Sequence, residues 1–271
     1  MSTTALTAPP GSAGQLLRSW RQRRKLSQFE LSLRAAVSSR HLSFVETGRA
    51  RPSRELLLHL ADQLEIPLRE RNVLLLAAGY APVFRERSLD DEELAPARAA
   101  LERFLRAHEP YPAVVLDGHY TIISANDALE PLLDGIAPEL LAPPANALRA
   151  TLHPQGMAPR IVNFGEWSGH LLDRLRRRAA LTGDPELERL HAELAGYPGV
   201  ELEPPTAGGE IIVPLRLRAG DEELGFISTA STFGTAVDIT LEELCIEAFY
   251  PADAATANRL LRTIAPDGFA V

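Results

Sequence analysis

Apolar residues in the first part of the chain recur at intervals of three and four, which is the spacing of one helix face. Short segments of this kind follow one another between turn residues up to about residue 80. In the first segment, Leu17, Trp20 and Arg24 share a face of a helix expected from Gly14 to Lys25. The pattern predicts an all-α head of five short helices.

Capping residues mark the ends of the second and third helices. Ser27 and Glu30 fit a capping box, in which the hydroxyl accepts a backbone N–H and the carboxylate reaches back to the cap. Ser38 is the expected N-cap of the third helix, and Gly48 stands where helices commonly end in a left-handed residue. Two further helices begin at Pro52-Ser53 and at Pro67, and the residues expected to face inward are Leu31, Ala35, Leu42, Val45, Leu56, Leu57, Leu60 and Leu64.

With its apolar pair turned inward, the third helix presents a polar face and its N-terminus. A B-DNA major groove admits one helix, whose N-terminal residues reach the base edges, and helix N-termini suit phosphate oxygens. The second helix begins with an amide side chain that is expected to clamp a phosphate, and two arginines after the third helix are expected to flank the groove. The predicted DNA-binding residues are Gln28, Ser38, Ser39, Arg40, His41, Ser43, Phe44, Thr47, Arg49 and Arg51.

Charge is distributed unevenly along the chain, whose net charge is −8. Residues 12–80 contain 12 Lys and Arg against 6 Asp and Glu, a net charge of +6, and the remainder carries −14. A basic head on an acidic body is typical of nucleic-acid-binding proteins. The alternative is a plain helical bundle with a solvated polar face, and the ordered pair of helices with a basic loop favours DNA binding over it.

The stretch LSQFELSLRAAVSSRHLSFVETGRARPSRELLLHLADQLEIP resembles the helix-turn-helix of the XRE (phage repressor-like) regulators. The resemblance implies that the chain binds double-stranded DNA. It departs at Ala36, where those regulators usually have glycine at the end of the second helix. If this position requires a positive φ, alanine costs on the order of 1 kcal/mol there.

Beyond residue 80 the pattern changes to strands and helices. The segment from Gly79 to Ala97 is rich in proline and charge and predicts a connector, followed by a helix expected to pair protomers. Two strand-like runs, PAVVLD and YTIISAN, flank a turn at Asp117-Gly118. A helical middle follows, and the runs EIIVPLRLR, LGFISTAST and ELCIEAFYP are the expected late strands. This order predicts an α+β domain with one antiparallel sheet and helices on a face.

These patterns divide the chain into four parts. Residues 1–11 are expected to be disordered, and residues 12–80 form the helix-turn-helix domain. Residues 81–108 form the linker and connecting helix, and residues 109–271 form the α+β domain.

The body resembles the ligand-binding domain of MmyB-like transcription regulators. The resemblance is carried by PYPAVVLDGHYTIISANDA, LHPQGMAPRIVNFGEWSGHLLDRLRRRA, TGDPELERL, ELAGYP and STFGTAVDITLEELCIEAFYPAD, in that order. It implies a PAS-like fold and a small apolar ligand, with fatty acids as the suggested class.

On that implication, the ligand is expected between the sheet and the helices. Apolar residues of the long helix and of two strands would line the pocket, and one arginine would bind an acyl carboxylate as a bidentate partner. The alternative is an ordinary core with a surface ion-pair residue. The expected ligand-binding residues are Val115, Arg160, Ile161, Phe164, Trp167, Leu171 and Phe226.

The sequence lacks the motifs that are typical of metal sites, of common catalytic sites and of membrane spans. No two histidines have ligand spacing and Cys245 has no CxxC partner, so neither a metal nor a cofactor is expected. There is no G-x-S-x-G, GxGxxG or Walker A motif, and no nucleophile–base set, so no catalytic residue is predicted. No apolar run approaches the roughly 18 residues of a membrane span, and a single cysteine suits the cytoplasm.

A single recognition helix touches too few base pairs for useful specificity, so a homodimer on a two-fold operator is expected. Two alternatives stay open for the body. It could bind a protein or dimerise without any small molecule, or, more remotely, it could be an enzyme attached to a DNA-binding head.

Overall fold

A computed structural model describes residues 11–202 and 212–264. The segment expected to be disordered lies outside the described residues, except for Gly11. The chain forms two compact units. The first, called the head, comprises residues 1–87 together with residues 235–242, and the second, called the body, comprises residues 88–234 and 243–271. The inclusion of residues 235–242 in the head is not anticipated by the sequence pattern.

Residues 11–87 of the head contain the five predicted helices. They are α1 (Ala13–Arg23), α2 (Gln28–Arg34), α3 (Ser39–Glu46), α4 (Arg54–Gln63) and α5 (Leu68–Ala77). The hydroxyls of Ser27 and Ser38 cap α2 and α3 as expected, and Glu30 completes the capping box. Leu42 and Val45 are each 1% exposed, so α3 turns its apolar pair into the head core.

The turn between α2 and α3 has a left-handed residue at Ala36, where φ is 51°. Alanine tolerates this conformation less well than glycine, because its Cβ crowds the following carbonyl. The condition under which alanine carries a conformational cost at this position is therefore met.

Helices α1 and α3 approach each other closely at Gly14. A Cβ atom on Gly14 would lie 2.2 Å from the carbonyl oxygen of Val45 and 2.9 Å from that of Glu46. Backbone atoms cannot yield as flexible side chains do, so only glycine permits this approach. The contact holds α3 against the first helix.

The helices of the body form from local signals similar to those of the head. Asp184 caps α10 with Pro185 in its first turn, as predicted. The helices that begin in the body are α6 (Ala95–Ala107), α7 (Pro138–Leu141), α8 (Ala147–Leu152), α9 (Phe164–Thr182), α10 (Pro185–Ala195) and α12 (Ala254–Ile264), while α11 (Ile239–Glu243) begins within the head segment 235–242.

The described part of the body contains the predicted antiparallel sheet, which has five strands there. The strands are β1 (Ala113–Leu116), β2 (Ile122–Ala125), β3 (Leu215–Ala219), β4 (Glu222–Thr232) and β5 (Cys245–Pro251). Their order is β2-β1-β5-β4-β3, so β5 joins the early hairpin to the late one. The expected start of β3 falls partly outside the described residues, and the strand begins at Leu215.

One face of the sheet packs against α9. Trp167, Leu171, Leu175 and Ala179 of that helix share the predicted face and are all buried. They belong to one apolar cluster with strand residues such as Leu215. The core of the body therefore lies between the helical layer and the sheet.

Candidate DNA-binding surface and ligand cavity

The exposed surface of α3 carries the polar residues predicted to read DNA. Ser38, Ser39, Arg40 and His41 are exposed around its N-terminus, where the Ser38 hydroxyl accepts the backbone N–H of His41 at 3.1 Å. Because the first turn of a helix leaves N–H groups free, this end suits a phosphate or a base edge.

Two arginines of the predicted set pack against aromatic rings. The Arg40 guanidinium lies 5.5 Å from the ring centre of Phe44, one turn further along α3. The Arg51 guanidinium lies 5.5 Å from the ring centre of Tyr80 and donates to the carbonyl of Ala78 at 3.1 Å. These contacts hold both side chains at the surface of the head.

Other residues of the predicted set bond within the head. The Ser39 hydroxyl bonds with that of Ser32 at 2.9 Å, and the Thr47 hydroxyl donates to the carbonyl of Ser43 at 2.7 Å. Arg49 is exposed and its backbone N–H donates to the carbonyl of Phe44 at 2.8 Å, which terminates α3.

Gln28 belongs to a buried network that sequence reasoning missed. Its Nε2 donates to Oε2 of Glu46 at 2.8 Å, and Arg21 donates to both oxygens of the same carboxylate. The Glu46 carboxylate raises the pKa of Arg21 chiefly through this hydrogen bond. An amide nitrogen has two N–H donors, so Gln28 keeps one that Glu46 does not use. The network ties α1, α2 and α3 together.

A cavity of about 70 Å³ lies within the core of the body. Two of the residues expected to bind ligand, Trp167 and Leu171, line it together with Val114, Leu215 and Phe249. The indole Nε1 of Trp167 is buried and has no hydrogen-bond partner among the described residues. Most of the residues that line the cavity are therefore apolar, and one of them carries a donor that has no partner among the described residues.

Other residues expected to bind ligand lie around this cavity without lining it. Phe226 is fully buried and packs edge-to-face on Phe249, with ring centres 6.4 Å apart. Ile161 is buried in a bridge with Leu217, and Phe164 is partly buried at the start of α9. Val115 follows Val114 along β1, so strand alternation places it on the opposite face of the sheet.

One charged residue also lines the cavity. Glu247 of β5 is buried, and both of its oxygens accept from Arg174 of α9, at 2.9 and 3.1 Å. Burial disfavours the charge of Arg174, but the Glu247 carboxylate outweighs that effect and raises the pKa of Arg174. The Glu247 carboxylate therefore lies on the cavity wall with its negative charge balanced by Arg174.

Arg160 lines a separate and larger cleft of about 830 Å³. Its Nη1 donates to the carbonyls of Leu132, at 3.1 Å, and Asp134. Leu132 lines both the cleft and the inner cavity. Arg160 and Trp167 therefore belong to two different spaces that share one wall residue.

The described residues offer neither a metal site nor a membrane span. Over residues 11–202 and 212–264, no three His, Cys, Asp or Glu side chains are grouped to hold a metal ion. Across those same residues, no helix has the length and apolar character needed to cross a membrane.

Two family models match the chain. Residues 12–74 match a helix-turn-helix domain. Residues 97–262 match the ligand-binding domain of MmyB-like transcription regulators. Among curated proteins, none matches the chain significantly.

Proposed function

The chain belongs to the MmyB-like transcription regulators, and on that premise we propose that it binds a two-fold DNA operator as a homodimer whose operator affinity responds to a fatty acid. The two family matches identify a helix-turn-helix DNA-binding domain and a ligand-binding domain in the chain. Beyond these matches, we propose the two-fold operator, the homodimer and the fatty acid. Because its partner is genomic DNA, the regulator acts in the cytoplasm.

The observation that supports DNA binding most directly is the composition of the exposed α3 surface. Arg40 and His41 stand at the N-terminus of a short helix whose opposite face is buried. In this proposal Arg40 reads a guanine through a bidentate contact, and Arg49 contacts a phosphate. A second head is needed because one such helix covers a short site.

The observation that supports an apolar acid is the pairing of an apolar cavity with an arginine-lined cleft. Arg160 stands in the cleft and Trp167 in the cavity, and Leu132 borders both. A fatty acid would place its carboxylate at Arg160 and its chain past Leu132. An engineered cavity of about 150 Å³ binds benzene, so a space of about 70 Å³ is small for an acyl chain and would have to widen to admit one. Met157 in its wall has the flexibility to permit this.

A titration of operator binding tests the proposal. The full-length protein is stripped of lipid, and its operator is selected from a random-sequence DNA library. Octanoic, dodecanoic and hexadecanoic acids are then added while operator affinity is measured. We expect at least one acid to change the affinity by roughly 5–150-fold, the usual range of allosteric coupling. If saturating acid leaves operator affinity unchanged, the sensor role is wrong.

Two variants test the carboxylate assignment. Arg160→Ala should weaken acid binding, whereas Arg149→Ala should not, because Arg149 pairs with Glu193 at 2.7 Å and does not line the cleft. Unchanged acid binding by Arg160→Ala would remove Arg160 from the ligand site.

Native mass spectrometry of freshly purified protein addresses the alternative role of the body. Additional mass of lipid size supports the sensor. Its absence, together with no response to added acid, favours a protein-interaction module.

A further inference from the structure

The Trp167 N–H has no hydrogen-bond partner among the described residues, and this indicates which chemical group a ligand should offer it. Trp167 is 2% exposed, lines the inner cavity, and finds no acceptor for its Nε1 within the described chain. The nearby hydroxyl of Ser168 is engaged, because it donates to the carbonyl of Gly165 and accepts the N–H of Glu201. Buried donors are normally paired, so this one calls for an acceptor, and the cavity that Trp167 lines is the adjacent space in which a ligand could supply one.

The acceptor should be a neutral oxygen rather than the carboxylate of the ligand. Glu247 already places a negative charge on the cavity wall, and Arg174 engages both of its oxygens. A second carboxylate in the cavity would face a like charge, and Arg174 would have to be shared between the two anions. Burying an unpaired charge is far more costly than burying a carbonyl or hydroxyl that receives a hydrogen bond.

We propose that the ligand is an oxygenated fatty acid whose in-chain carbonyl or hydroxyl oxygen accepts the Trp167 Nε1–H. This inference rests on the proposed function, which places the carboxylate end at Arg160 in the outer cleft. The two polar contacts would then fix the distance along the chain between the acid group and the second oxygen. Trp167 is then the residue that distinguishes fatty acids with an in-chain oxygen from unsubstituted fatty acids.

Calorimetry with matched ligands tests the contact in the lipid-free, full-length protein. The probes are hexadecanoic acid and a series of its keto derivatives with the carbonyl at successive positions. One keto acid should bind about tenfold more tightly than hexadecanoic acid, the ratio expected for one hydrogen bond to a buried donor. The advantage should vanish in Trp167→Phe, which removes the N–H, and persist in Leu171→Val, which trims the same cavity without polar change.

The indole N–H resonance of Trp167 gives a second readout that does not depend on any variant folding. The chain has two tryptophans, so this signal is readily assigned by NMR. It should move downfield with the preferred keto acid and much less with hexadecanoic acid.

Equal binding of plain and keto acids to the wild type, or a keto advantage that survives in Trp167→Phe, overturns the inference and leaves the proposed function intact. Failure of every acid to bind overturns both.

A second observation, independent of Trp167, concerns residues 235–242. They connect β4 to β5, yet they belong to the head, where Asp238 and Ile239 are buried. Arg87 Nη1 pairs with Asp238 at 2.5 Å, and the Ile239 N–H donates to the carbonyl of Arg85 at 2.9 Å. Glu242 accepts the first N–H of α5, from Leu68, at 2.8 Å.

We infer that residues 235–242 transmit the ligand signal to the head. The strand that follows them, β5, carries Glu247 and Phe249, which line the cavity. A ligand that widens the cavity would displace β5, and the covalent chain passes that displacement to Asp238. This also rests on the proposed function, because a coupling between ligand and operator must exist to be transmitted.

The test is a variant that still binds both the acid and the operator, but in which the acid no longer changes operator affinity. Asp238→Asn should bring the ratio of operator affinities with and without hexadecanoic acid, or the preferred keto acid, towards one. Glu86→Gln, which alters the exposed pair between Arg69 and Glu86, is the control and should keep the wild-type ratio. Reversing the pair as Arg87→Asp with Asp238→Arg should restore coupling. A wild-type ratio in Asp238→Asn refutes the role of this segment, whereas absence of coupling in the wild type refutes the sensor.

Discussion

Arg21 and Glu46 form a two-point ion pair in the interior of the head. Arg21 Nε lies 2.6 Å from Glu46 Oε1 and Nη2 lies 2.8 Å from Oε2, and the Glu46 side chain is fully buried. Arg21 also donates to the carbonyl of Leu26 at 2.7 Å, beside the start of α2. The pair therefore fixes the C-terminal end of α3 relative to α1 and to the turn before α2.

Removal of Glu46 should destabilise the head strongly. Glu46→Ala leaves the Arg21 charge buried without its partner, which costs about 3–5 kcal/mol in comparable buried pairs. Urea denaturation of the full chain, followed through the head transition, measures the loss. Glu65→Gln is the control, because Glu65 is exposed and its side chain should contribute little. Equal stability of the two variants would show that the pair does not support the head.

Replacement of Ala36 by glycine should stabilise the head. The φ of 51° is strained for alanine and free for glycine, and we expect a gain of roughly 1 kcal/mol after the greater flexibility of unfolded glycine is included. Ala81→Gly, at an exposed position outside the set with positive φ, should instead be neutral or slightly destabilising. The unfolding temperatures of both variants, compared with that of the wild type, measure the two changes in stability. A loss of stability in Ala36→Gly contradicts the prediction.

Arg40 and Arg49 should affect DNA binding in different ways. Arg40→Ala should relax specificity at one base pair, with a loss of about 1–3 kcal/mol confined to sites carrying the preferred base. Arg40→Lys retains the charge but not the bidentate fork, so it should also relax specificity.

Arg49→Ala should weaken binding to all sequences alike and reduce the salt slope by roughly one unit. Binding to the selected operator and to its single-base variants, measured over a range of salt concentrations, separates these effects. An unchanged base preference in Arg40→Ala would exclude Arg40 from base reading.

The contribution of the His119–Asp184 pair to the stability of the body should fall as the pH rises above neutrality. His119 Nε2 lies 2.7 Å from Asp184 Oδ2, and this hydrogen bond raises the pKa of His119 and lowers that of Asp184. Asp117 and Glu186 favour the charged imidazole further. Because the folded pKa is above the unfolded value of about 6.5, the contribution is complete below that value and is lost as the pH rises through the folded pKa.

The difference in unfolding temperature between wild type and His119→Gln isolates this pair, since the other histidines are common to both proteins. It should be largest at about pH 6 and shrink towards pH 9. On the acid side it should shrink again as Asp184 becomes protonated. A difference that is constant with pH would mean that the pair does not stabilise the body.

Contacts between residues close in the chain were predictable from sequence. The caps at Ser27, Ser38 and Asp184 join residues two or three positions apart, and the left-handed turn at Ala36 follows from the same local geometry. The antiparallel sheet was predictable because alternating strands joined to a helical middle have few ways to bury their apolar sides. The polar face of α3 followed from helix periodicity alone.

Tertiary structure decided the contacts between distant residues. Arg21 meets Glu46 across 25 residues, and Arg87 meets Asp238 across 151. Neither pair has a periodicity by which sequence could match the partners. The register of β1 likewise decided that Val114 rather than Val115 faces the cavity, because a shift of one residue turns every side chain of a strand to the other side. The packing around α9 also decided that the Trp167 N–H finds no partner within residues 11–202 and 212–264. Local sequence determines contacts between residues a few positions apart. The contacts between distant residues depend on how the folded chain brings those residues together.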